Sequence, residues 1–201
     1  SGNTLSGSIV VASDNVTVEN NQVGESIVVK SLTGGTIGGL IIGNTAKGVL
    51  LEQNTTGVTV QDNNIQNNLA GINIDSSPGN LILNNMIQNS SLYGILITNS
   101  PSTILRQNSV TGSAARWIWA QGGSTNLLIE DNQFNVGTGI ELDASHNSIV
   151  KGNTFLSGCG LCIYAVDSDG VRAEDNQFMG YGQIYFSSSD FGYVEFNQFN
   201  S

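Results

Sequence analysis

The sequence predicts an all-β fold, a single-stranded parallel β-helix of about nine coils of 21–24 residues carrying an asparagine ladder. Three observations predict it. The first is a recurring pattern of Asn, any residue, then a large apolar residue: Asn21-Gln22-Val23, Asn63-Asn64-Ile65, Asn85-Met86-Ile87, Asn108-Ser109-Val110, Asn132-Gln133-Phe134, Asn153-Thr154-Phe155, Asn176-Gln177-Phe178 and Asn197-Gln198-Phe199. From Asn63 onward the asparagines are spaced by 22, 23, 24, 21, 23 and 21 residues, a period that signals stacked units. The second is three short β-branched segments per period, without helical periodicity, which excludes leucine-rich and helix-pair repeats. The third is composition: 25 Gly, 2 Pro and only 11% charged residues, with Asn, Ser, Thr, Val and Ile abundant. Such residues suit strands and tight turns. The 39% hydrophobic content, set in register, separates this chain from a disordered one.

The coils read in order. The first comprises Ile9-Val10-Val11, a polar Ser13-Asp14-Asn15, Val16-Thr17-Val18 and Asn21-Gln22-Val23. The second matches poorly. In it Gly39-Leu40-Ile41, at the end of the glycine-rich run from Thr33, stands where Asn and its apolar partner belong, glycine taking the bend that Asn takes elsewhere. From Gly48 the match is good, with Val49-Leu50-Leu51 and Val58-Thr59-Val60 before Asn63, then Ile72-Asn73-Ile74 and Leu81-Ile82-Leu83 before Asn85. Pro78 and Pro101, one period apart, mark the same turn in adjacent coils. Later first strands are Ile140-Glu141-Leu142, Leu161-Cys162-Ile163 and Ile184-Tyr185-Phe186, with the first and third residues inward. Each ladder Asn is expected to bend the chain between second and third strands and to stack its amide on the one below. The residue two beyond points inward, in a column that changes from aliphatic to Phe after Val110.

These Gly-Ile-x-Ile strands, polar turns and Asn-x-Ile or Asn-x-Val bends resemble the right-handed parallel β-helix, pectin lyase-like superfamily. The resemblance covers nearly the whole chain. It implies a right-handed helix, and catalytic groups on the outer side of the first strand's sheet and in the flanking turns. It does not extend to the motifs of the pectin-cleaving hydrolases, since Asn-Thr-Asp, Asp-Asp, Gly-His-Gly and Arg-Ile-Lys are all missing.

Glu141 and Asp143, two apart on one face and roughly 7 Å between side-chain origins, form the candidate catalytic pair. The same two residues would also serve simply to solvate an exposed sheet. Trp117, Trp119, Tyr164 and Tyr185 are the candidate substrate-binding residues, because an aromatic face suits the C–H surface of a sugar. The register of Arg116-Trp117-Ile118-Trp119 is open: either both indoles point into the core, or Ile118 does and both face outward beside the carboxylates. His146, the sole histidine, lies in a turn without titrating partners. Asp167-Ser168-Asp169-Gly170 resembles a fragment of a calcium loop and also reads as ordinary turn chemistry. No cofactor is expected, Ca2+ being the one ion for which Asp167 and Asp169 are candidates. Cys159 and Cys162 have CxxC spacing without a second pair and are expected as free thiols, with Cys162 on an extended strand.

With 6 Lys and Arg against 16 Asp and Glu, a formal charge of −10 excludes nucleic acid as an expected partner. No segment approaches the ~20 apolar residues of a membrane span. Residues 1–201 read as one domain, part of a larger protein. Its open strand edges at both ends call for neighbouring domains or other subunits, as in a homotrimer. The expected function is binding or processing of a polysaccharide, by a hydrolase- or lyase-like scaffold at a cell surface, outside the cell or on a virion. The alternative is a non-catalytic structural or adhesive module of a spike or surface protein.

Overall fold

The computed structural model describes residues 2–31 and 38–200, so most of the glycine-rich run from Thr33 to Gly39 lies outside the described residues. Among the described residues there is no helix, and 28 short strands build three sheets in which every pairing is parallel and joins adjacent coils. The first sheet has nine strands, from Ile9–Val11 to Gly182–Ser187. The second has nine, from Val16–Glu19 to Tyr193–Glu195, and the third ten, from Thr4–Leu5 to Gln198–Phe199. Each coil visits the three sheets in that order. The result is a right-handed β-helix of about nine turns whose inward residues share one core.

The ladder is continuous from Asn3 to Asn197. Asn108 shows the pattern: its backbone N–H and Nδ2 donate to Asn132 Oδ1 at 2.9 and 3.0 Å, and Nδ2 also donates to the carbonyls of Ile82 and Arg106. A buried amide so fully satisfied ties three coils together. The bend itself falls one residue earlier than expected. Asn20, Asp62, Asn84, Gln107, Asp131 and Asp175, each just before a ladder Asn, take φ between 52° and 56°, and Gly43 and Gly152 fill the same place. The ladder asparagines are therefore held by their amides, while their predecessors make the left-handed step.

The second coil also corrects the sequence reading. Its ladder residue is Asn44, and its inward partner is Ala46, which pairs with Ile65. Gly39–Ile42 is instead a strand of the second sheet, with Ile41 between Val18 and Val60. A small partner hid this coil from a search for large apolar residues. The structure adds a second polar ladder at the corner from first to second sheet, where the hydroxyls of Ser100 and Ser124 take the N–H of Ser77 and Ser100, and those of Ser168 and Ser189 the N–H of Ser145 and Ser168.

Phe134, Phe155, Phe178 and Phe199 stack with ring centroids 5.2, 4.7 and 4.5 Å apart. Across the core, positions that carry Ile or Leu in earlier coils become Ala120, Ala165 and Ala173. Larger rings on one wall are thus matched by smaller residues on the others, which conserves core volume.

Candidate functional site

The outer face of the first sheet is organised in rows along the helix axis. Its central row runs Leu50, Asn73, Leu96, Trp119, Glu141, Tyr164 and Tyr185, one residue per coil. Beside it lies a polar row, Lys30, Glu52, Asp75, Thr98, Gln121 and Asp143, at the end of each strand leading into the next corner. Adjacent rungs are ~4.8 Å apart. A flat, ruled surface results, apolar and aromatic along its middle and polar along one edge.

The two indoles part company, so neither register left open by the sequence holds. Trp117 is fully buried against Phe134, with ring centroids 5.3 Å apart, and Ile118 is buried as well. Trp119 alone faces outward, half-buried, its ring 5.0 Å from that of Tyr93. The reason is the corner from third to first sheet, where two successive residues turn inward. Trp117-Ile118 occupies the place of Gly94-Ile95 in the coil before and of Gly139-Ile140 in the coil after. Aligning on those Gly-Ile pairs would have set the register. Trp117 is thereby removed from any substrate surface.

The same corner corrects the cysteines. Ile163, not Leu161, pairs with Ile140, so Cys162 takes the inward corner position and Leu161 lies outside. A register shift between Leu161 and Ile163, with Gly160 at φ 57°, brings Cys159 back toward Cys162. The two form a disulfide across a Cα separation of 5.1 Å, in place of the expected free thiols. Gly182 lies beneath, where a Cβ would collide with Cys162 Sγ.

Glu141 does not stand free. Arg116 Nε donates to its Oε2 at 2.6 Å, and Arg116 Nη1 donates to Ala115 O at 2.9 Å. Arg116, Glu141, Trp119, Tyr93 and Ala115 line a recess of about 220 Å³. Tyr93 is also a wall of a neighbouring recess of about 240 Å³, with Leu50, Asn68, Leu69, Ala70, Asn73 and Leu96. Asp143 sits on the polar row outside both recesses. Tyr164 and Tyr185 continue the central row beyond Glu141, with ring centroids 5.7 Å apart. Sequence reasoning missed Tyr93. The available signal was its place just before Gly94-Ile95, the position Arg116 holds one coil later.

The remaining candidates lie elsewhere. Asp167, at φ 48°, makes the left-handed step at the serine corner. Asp169 donates its N–H to His146 Nδ1 at 3.0 Å and takes the N–H of Asp190 on Oδ1 at 2.7 Å, so these side chains serve turn hydrogen bonds. Tyr193, on the second sheet, has its pKa raised above the ordinary value chiefly by its hydrogen bond to the Glu195 carboxylate. Nitrogen and sulfur donors for a metal are few: one His, two Met and two Cys joined to each other. Among the described residues no three His, Cys, Asp or Glu side chains gather to hold a metal ion.

The fold has solved counterparts. The chain is similar to the Dettilon tailspike protein gp208, at 14% identity and TM-score 0.68 over 98% of this chain and 54% of that one. It is similar also to PfbA, a surface adhesin of Streptococcus pneumoniae, at 14% identity and TM-score 0.54 over 92% of this chain and 63% of that one. It thus spans between half and two thirds of those chains, and at such identity the likeness is one of fold. No curated protein matches it in sequence. A family model described as periplasmic copper-binding protein (NosD) matches residues 1–201, so the chain belongs to the NosD family.

Proposed function

We propose that the outer face of the first sheet binds a polysaccharide, as a binding module or as the substrate face of a glycan-processing enzyme. The observation that carries this reading is the recess where the Trp119 and Tyr93 rings meet the Arg116–Glu141 pair, set in an axial row that continues through Tyr164 and Tyr185. Aromatic faces receive the C–H surface of a sugar, and a hydrogen-bonded charge pair beside them orients its hydroxyls. A tailspike and a surface adhesin share the fold, which is in keeping with a role at a surface. The Cys159–Cys162 disulfide and the family's description as periplasmic support a location outside the reducing cytosol, the periplasm included.

Copper, named in the family's description, finds no suitable donor set among the described residues. Copper is held by thiolate, thioether or imidazole groups. Here the two thiols are joined, Met86 and Met179 are exposed on different coils, and His146 stands in a turn. The proposed role therefore rests on sugar contacts alone.

In the enzymatic version, Glu141 and Asp143 supply the acid and the base or nucleophile. A glycan array followed by Glu141→Gln and Asp143→Asn on any hit tests this. Turnover lost in both variants supports the enzyme; binding without product supports the module; no glycan binding overturns the proposal. The adhesive reading is favoured by one observation, a stripe of exposed apolar side chains along the corner from third to first sheet, including Leu69, Leu92, Val136, Leu156 and Tyr181.

A further inference from the structure

We propose that this face selects an uncharged glycan, lying along the helix axis with Tyr93 as the partition between two single-ring recesses. The inference rests on the polysaccharide reading above and adds the class of sugar. Each recess, at about 240 and 220 Å³, is smaller than the pockets of roughly 300–1,000 Å³ that enclose drug-sized ligands. They lie side by side along the axis and share Tyr93, an arrangement suited to a ligand of repeated small units.

The unspent polar atoms call for hydroxyls. In one recess Asn73 Oδ1, an acceptor, has no protein partner; in the other Trp119 Nε1, a donor, has none. Both are shielded, so each is costly while unpaired. A hydroxyl donates and accepts and so suits both, and because neutral and acidic sugars alike carry hydroxyls, these atoms favour a sugar without choosing its charge class.

Charge makes that choice. Arg116, the cation of the recess, is already paired with Glu141, and the adjoining polar row carries Glu52, Asp75 and Asp143 against one cation, Lys30, next to Glu52. With a net charge of −10 on the whole chain, a polyuronate approaching this row meets repulsion that a neutral chain does not.

The test compares binding of the 201-residue chain to soluble neutral polysaccharides, a β-glucan and a mannan, with binding to polygalacturonate and alginate, in chelator, at low and high salt. The expected result is binding to a neutral polymer that salt leaves unchanged. Trp119→Ala and Tyr93→Ala should each weaken it about two- to tenfold, the worth of one aromatic contact, while Tyr193→Ala on the second sheet leaves it intact. Thermal denaturation of each variant confirms that the fold persists. Glu52→Gln with Asp75→Asn should raise binding to polyuronates. Polyuronate binding that exceeds neutral binding and falls with salt would overturn the choice of class and leave the polysaccharide reading standing. Neutral binding equal in Trp119→Ala, Tyr93→Ala and the parent would overturn the location. Binding to neither class would remove the polysaccharide reading along with this one.

Discussion

Asn132 and Asp131 stand side by side in the most repeated stretch of the chain and do different work. Asn132 Oδ1 takes both the N–H and the Nδ2 of Asn108, and its own Nδ2 donates to Leu105 O and Asn153 Oδ1. Asn132→Ala leaves several of these groups buried and unpaired, at roughly 1–3 kcal/mol each, so a loss of at least about 3 kcal/mol is expected in urea denaturation. Asp131 supplies the left-handed step at φ 56°. Asp131→Gly should be nearly neutral, whereas Asp131→Val should cost about 1–2 kcal/mol. The reverse ranking of Asn132→Ala and Asp131→Val would return the bend to the ladder residue. Val136 already pays for such a step, as a β-branched residue at φ 51° with its side chain largely in solvent. Val136→Asn should therefore stabilise the chain by about 1 kcal/mol, read as a rise in melting temperature. The ladder was legible in the sequence because its spacing is regular. The bend was not, because Asn and Asp fill both places, as in Asn84-Asn85 and Asp62-Asn63, and composition cannot tell a hydrogen-bonding role from a conformational one.

Within the strands, the aromatic column is matched by alanines. Ala165 lies on the first sheet where Ile97, Ile74 and Leu51 lie in earlier coils. Putting Ile back at that position overfills a core already occupied by Phe155 and Phe178, and Ala165→Ile is expected to lose about 1–3 kcal/mol in the same denaturation assay. No loss would mean that space remains beside the rings. The change from aliphatic to aromatic was readable along one sheet, but its compensation was not, since that depends on which residues of the other two sheets share a layer. The candidate site divides in the same way. Glu141, Tyr164 and Tyr185 were placed outward by simple alternation, and they are outward. Trp117 and Cys162 were misread because a corner turns two consecutive residues inward, which breaks alternation at the entry to the strand. Arg116's partnership with Glu141 links residues 25 apart and needed the register before it could be seen.

Along the whole molecule each coil touches only its neighbours, so stability is expected to vary with position rather than to be shared evenly. The middle coils have both neighbours. Phe155 is fully buried between Phe134 and Phe178, with Asn153 sealed in the ladder beside it. Within residues 1–201 the final coil stacks on one: Phe199 is 54% exposed although its ring stacks on Phe178, and Phe196 is 72% exposed. Phe155→Ala should therefore cost about 3–5 kcal/mol, as for other buried Phe residues, and Phe199→Ala much less. Hydrogen exchange of the 201-residue chain provides the map. Amides that donate along the ladder from Asn85 to Asn153 should be the slowest, and those of Tyr193–Glu195 and Gln198–Phe199 among the fastest. If all coils exchanged at one rate, the chain would open as a single cooperative unit, and nearest-neighbour stacking would not describe it. If instead the gradient is found, the recess of Tyr93, Trp119 and Glu141 lies in the best-protected part of the rod, where the rows of the first sheet are held most rigidly in register, and its neighbour toward Leu50 lies at the edge of that part.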